Sequence, residues 1–104
     1  MEKFLYFENA ATDSVCIPAR KLVEMEMDGS GTALDLRFSI GSSATTTEYE
    51  VNLTIDDNTG TEVMRAISEE IRFGKDPFIV VADDTNSEYL HADITAVDTL
   101  PAIG

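Results

Sequence analysis

The chain has almost none of the side chains from which small proteins build reactive sites. It carries one cysteine, Cys16, one histidine, His91, and no tryptophan. One subunit therefore cannot complete a zinc, iron–sulfur or other Cys–His site, and Cys16 has no partner for an intrachain disulfide. Basic charge is equally scarce: seven Lys and Arg stand against twenty Asp and Glu, for a formal net charge of −13. Such a surface repels a phosphate backbone, whose capture depends on Lys and Arg. Nucleic acid is thus disfavoured as a partner. No run approaches the ~18 consecutive apolar residues of a transmembrane helix, and no basic segment followed by an apolar one marks secretion. The expectation is a soluble, unprocessed cytoplasmic protein, neither secreted nor bound to a membrane.

What is present suits a folded domain. A length of 104 residues with 43% hydrophobic content predicts one core and one domain over residues 1–104. At this size burial is modest, so association of subunits would add needed stability. Acidic residues alternate with apolar ones instead of forming blocks, which predicts an acidic surface on a folded chain and not disorder. The apolar setting Val15-Cys16-Ile17 predicts a buried, inert thiol.

Most of the chain reads as strands. Lys3-Phe4-Leu5-Tyr6-Phe7 favours β-structure, and a short strand at Val15-Cys16-Ile17 stops at Pro18. In the next segment Val23, Met25 and Met27 share the expected core face, with Glu24, Glu26 and Asp28 opposite. After Asp28-Gly29-Ser30-Gly31, residues Leu34, Leu36, Phe38 and Ile40 alternate with polar neighbours. Beyond Gly41-Ser42-Ser43, so do Tyr49, Val51, Leu53 and Ile55. Three alternating strands with short polar turns predict an antiparallel meander with one wet face.

The period then changes. Val63, Ile67 and Ile71 recur every four residues, Thr59-Gly60-Thr61-Glu62 fits a capping box, and Gly74 with Pro77 ends the pattern. A helix over 60–73 follows. Phe78 to Ala82 reads as a strand buried on both faces, and a last strand from Tyr89 puts His91, Asp93 and Thr95 on one side. The predicted architecture is mostly β: a small, strongly bent antiparallel sheet or partial barrel with one helix covering a face or an end.

Sites of chemistry are few. Asp56-Asp57-Asn58-Thr59-Gly60 opens like a calcium loop, but its glycine comes one place early and the twelfth position is Ile67. Asp83-Asp84 reads as a turn that could join a weak divalent site only with another subunit. Gly29-Ser30-Gly31 lacks the third glycine and the helix of a dinucleotide site. His91 beside Asp93 is the one dyad that resembles acid–base machinery, with no nucleophile placed next to it. Neither a metal nor a cofactor nor a catalytic set is predicted. Arg72 and Lys75 are candidate nucleic-acid contacts, although pairing with Glu62, Glu69 and Glu70 and service to the helix dipole explain them too.

As a whole the sequence resembles a family of small marine proteins, attributed to cyanophages, that have an Sm-like fold. The resemblance lies in Lys3-Phe4-Leu5-Tyr6-Phe7, in Ile17-Pro18-Ala19-Arg20-Lys21-Leu22, and in the helix from Glu62 to Ile71. It implies a five-stranded, highly bent Sm-type or SH3-like sheet whose subunits form rings by pairing strand edges. It also implies a place in an infected host cell or a phage particle. The RNA-binding signatures of ordinary Sm proteins are not matched: Ile71-Arg72-Phe73-Gly74 reads as a helix end, and the aspartate–apolar–asparagine motif is absent. The helix comes late, which suggests a permuted order.

Together these readings predict a non-enzymatic assembly protein, an adaptor that forms a homo-oligomeric ring and offers an acidic surface to a basic protein partner. The expected subunit interface is the edge near Ile79, Val80, Val81 and Tyr89. The alternatives are an Sm-type RNA-binding module and, with only the dyad behind it, a small enzyme using His91 and Asp93.

Overall fold

Alternation of apolar and polar residues drives this chain into strands, and the computed structural model describes residues 2–40 and 49–101. The turn expected at Gly41-Ser42-Ser43 lies outside the described residues. Strands β1 (Phe4–Ala10), β2 (Asp13–Pro18), β3 (Leu22–Met27), β4 (Ala33–Phe38) and β5 (Tyr49–Ile55) come first. Helix α1 (Gly60–Phe73) follows, then β6 (Phe78–Asp83), β7 (Glu88–Tyr89) and β8 (Ile94–Val97). The fold is mostly β with one helix, as the hydrophobic periodicity requires.

The strands form two four-stranded sheets, ordered β2-β1-β6-β7 and β3-β4-β5-β8. The meander β3-β4-β5 is antiparallel, with Leu34, Leu36 and Phe38 opposite Leu53, Val51 and Tyr49, all buried. Two features depart from a single antiparallel sheet. Pro18 and the 3-10 turn Ala19–Lys21 re-aim the chain between β2 and β3, which splits the strands into two layers. In addition, β1 and β6 pair in parallel, because α1 returns the chain to the end where β1 starts and Pro77 O there accepts the Phe4 N–H at 2.8 Å.

Both inner faces share one core, in which Phe7 of the first sheet meets Phe38 of the second edge-on at 6.0 Å. Val63 and Ile67 of α1 join it fully buried. A bulge in β3 corrects the expected Met stripe: Leu22 pairs with Phe38 and Glu24 with Arg37, so Val23 is turned outward and is 55% exposed. Leu22, Met25 and Met27 pack inward in its stead.

Gly74 ends α1 as its sequence suggests, its N–H donating to Glu70 O at 2.9 Å, but the N-terminus and the source of the C-terminal charge differ from expectation. The Thr59 hydroxyl donates to Asp56 O at 2.8 Å and caps no helical N–H, so the capping box does not form. At the other end Lys3 Nζ donates to the carbonyls of Glu70 (3.1 Å), Ile71 (2.7 Å) and Gly74 (2.6 Å), the service expected of Arg72 and Lys75. Gly74 is extended, with φ −65°, and is required by space: a Cβ there would strike the Glu70 carbonyl.

A polar seam ties β8 to the first sheet. The Asp84 carboxylate accepts from Val97 N at 3.2 Å and Tyr89 OH at 2.9 Å, and Asn9 Nδ2 donates to Val97 O at 2.8 Å. Among the described residues no helix is long and apolar enough to cross a membrane.

Candidate functional site

The His91–Asp93 pair does not sit on a strand. The expected last strand breaks between β7 and β8, and both residues fall in the turn that carries the chain from one sheet to the other. The Asp93 N–H donates to His91 Nδ1 at 3.1 Å, while the Asp93 carboxylate lies 3.6 Å from the same nitrogen. A nitrogen that accepts a backbone hydrogen bond cannot also donate to a carboxylate, so the pair lacks the geometry of an oriented base. Its visible work is to close a turn.

The acidic loops are likewise closed on themselves. Asp83, 5% exposed, accepts from Asn86 N at 3.1 Å and Asn86 Nδ2 at 2.8 Å. Asn58, with a positive φ of 60°, donates its N–H to Gly31 O at 3.0 Å, locking the loop before α1 to the β3–β4 turn. Among the described residues no group of three or more His, Cys, Asp or Glu is placed to hold a metal ion.

Three of the seven cations, Lys3, Arg20 and Arg37, are held by partners. Arg37 lies on the outer face of the second sheet among Glu24 (3.1 Å), Glu26 (2.9 Å), Glu50 (3.2 Å) and Asp35 (3.8 Å). Arg20 binds Glu2 at 2.8 Å. Lys3, Arg20 and Arg72 line one open hollow of about 460 Å³ with Glu2 and Gly74, and Lys75 is not part of its lining. The structure thus brings Arg72 to Arg20 and Lys3, not to Lys75. Lys3 is held by helix carbonyls and Arg20 by a carboxylate, which leaves Arg72, stacked 5.4 Å from the Phe73 ring centroid, as the cation of that hollow with no carboxylate on it among the described residues.

The outer face of the first sheet holds what the sequence reading missed. Cys16 is exposed, not buried: strand alternation sends Ile17 into the core and Cys16 out. In register, Pro18, Phe4 and Phe78 form one outward row across β2, β1 and β6, and Cys16, Tyr6 and Val80 form the next. The rings of Tyr6 and Phe78 lie 5.1 Å apart, and Phe4 and Phe78 remain 36% and 47% exposed. Tyr6 OH donates to the Glu8 carboxylate, and this bond above all, with burial second, pushes its phenol above the ordinary range. Partial burial does the same to the Cys16 thiol, which disfavours its thiolate. The signal was present in Lys3-Phe4-Leu5-Tyr6-Phe7: aromatics at four successive strand positions, less one leucine, must put rings on both faces.

Comparison with protein-family models, with curated proteins and with solved structures finds no match to this chain. Its surface must speak for itself.

The expected subunit interface needs correction in one respect. Ile79 and Val81 are core residues, 3% and 0% exposed, so their side chains are not available to a partner. Only the half-buried Val80 and Tyr89 and the backbone edge remain. That edge is partly open. β7 pairs with Ala82 and Asp83 alone, so among the described residues no strand pairs with Phe78 to Val80 on the side away from β1.

Proposed function

We propose that the protein is a non-enzymatic interaction module whose subunits associate, as in the ring-forming Sm-like phage proteins it resembles, with the acidic exterior left to bind other chains. The observation that carries this reading is the uncovered aromatic face of Phe4, Tyr6 and Phe78 with Val80. Exposed rings clustered on one sheet face, within an otherwise charged surface, are the usual mark of a protein contact. A second copy suits this face because its centre, Phe4, Tyr6 and Phe78, carries no charge, so two-fold or ring pairing would bury the rings and leave Glu8, Asp76 and Glu88 at the rim.

Cys16 reports on the contact, since it lies in the row of Tyr6 and Val80. Its alkylation by a neutral maleimide should slow as protein concentration rises, and Phe78→Asp should restore the fast rate. Equal rates at all concentrations would exclude this face as the interface. A second reading, an anion- or RNA-binding module, is favoured by the convergence of Arg20 and Arg72 on one hollow. It predicts oligonucleotide binding that falls steeply with salt and is lost in Arg72→Ala.

A further inference from the structure

The open edge of β6 has both the backbone and the charge of a docking site for an extended basic peptide. In the β1–β6 ladder Phe4 N–H donates to Pro77 O, so alternation turns Ile79 toward β1 and the N–H and C=O of Val80 away from it. On that outer side β7 supplies partners for Ala82 and Asp83, and Leu90 N–H reaches Val81 O at 3.1 Å. The ladder then stops, one residue short of Val80. An open groove of about 270 Å³ runs along the gap. Its apolar lining includes Phe78, Val80 and Tyr89, and its charged lining is Glu70, Asp76 and Glu88, with no Lys or Arg.

The geometry points to β-strand addition: an extended segment that continues the line of β7, pairs with Val80, and alternates small apolar residues with Lys or Arg. The backbone edge supplies affinity without regard to sequence, while three carboxylates around an apolar floor select positive charge. A second copy of this chain is a poor occupant, because at −13 it would bring carboxylates to carboxylates. Nucleic acid is refused for the same reason. This inference rests on reading the protein as an interaction module; its groove borders the aromatic face and shares Phe78 and Val80 with it, but its backbone edge and its three carboxylates lie outside that face. The two contacts should also respond oppositely to salt, since screening weakens peptide docking and relieves repulsion between like subunits.

The probe is a fluorescein-labelled nine-residue peptide alternating lysine and valine, followed by anisotropy, with a glutamate–valine peptide and a proline-interrupted lysine peptide as controls. The lysine peptide should bind, more weakly at high salt, and neither control should. The double variant Glu70→Lys, Glu88→Lys should weaken binding by about tenfold or more, as reversal of several rim charges does. Glu62→Lys, in the first turn of α1, should leave it nearly unchanged. Amide exchange on the unlabelled wild type should slow at Val80 when the peptide is added. Equal binding of the proline-interrupted peptide, or equal loss in Glu62→Lys, would overturn the site, since general acidity would then explain the result. So would binding of a single-stranded oligonucleotide in preference to the peptide. Peptide docking on a protein that scatters light as a monomer would defeat the assembly reading alone, and the reverse result would defeat the docking site alone.

Discussion

Lys3 and Tyr49 show how single side chains outside the expected sites hold this molecule together. Lys3 carries its charge from the start of β1 to three carbonyls at the end of α1, so Lys3→Met should cost about 1–2 kcal/mol in urea unfolding. Arg72→Met, which removes no helix cap, should cost much less. Tyr49 donates its OH to Pro101 O at 2.7 Å, and burial first, Asp13 second, hold its phenol above the ordinary value of 10.0. A phenol kept protonated by the fold stabilises it below the unfolded value, and that contribution is lost as pH rises through the native one. Stability should therefore be level approaching pH ~10 and fall above it, with a shallower fall in Tyr49→Phe. Tyr6 and Tyr89, raised in the same direction, add to the slope. Residues of this kind were hard to read from sequence. Cys16 has apolar neighbours on both sides, yet alternation alone exposes it. His91 and Asp93 share a face only in a continuous strand, and the chain turns there.

Strands and helix were legible because their periods are local. Leu34 to Phe38, Tyr49 to Ile55 and Val63 to Ile67 bury the residues their spacing selects. The β3 bulge at Val23 and the parallel pairing of β1 with β6 were not legible, since each is set by partners distant in sequence. Two substitutions test the elements. Gly74→Ala drives a Cβ into the Glu70 carbonyl and should destabilise by about 1–3 kcal/mol, although its backbone angles suit any residue. Proline at Val80 removes an N–H that no strand among the described residues pairs with and should cost about 1 kcal/mol of strain. Proline at Ile79, whose N–H lies on the β1 side, should cost ~3 kcal/mol or more. Equal damage at both positions, measured by urea midpoint, would show that the edge beside Val80 is not open.

At the scale of the whole molecule, charge and apolar surface act against each other. The net charge of −13 drives copies apart, and the Phe4, Tyr6 and Phe78 face draws them together. The sequence showed the first in its composition. The second needed the register of three strands, which no local pattern contains. Their balance predicts association that strengthens with ionic strength, the reverse of an ion-paired interface. Multi-angle light scattering at micromolar concentration, in low and in physiological salt, tests this most directly. The account predicts a mass several times the 11.4 kDa subunit at physiological salt, reduced at low salt and abolished by Phe78→Asp. A mass of 11.4 kDa at every concentration and salt would contradict it.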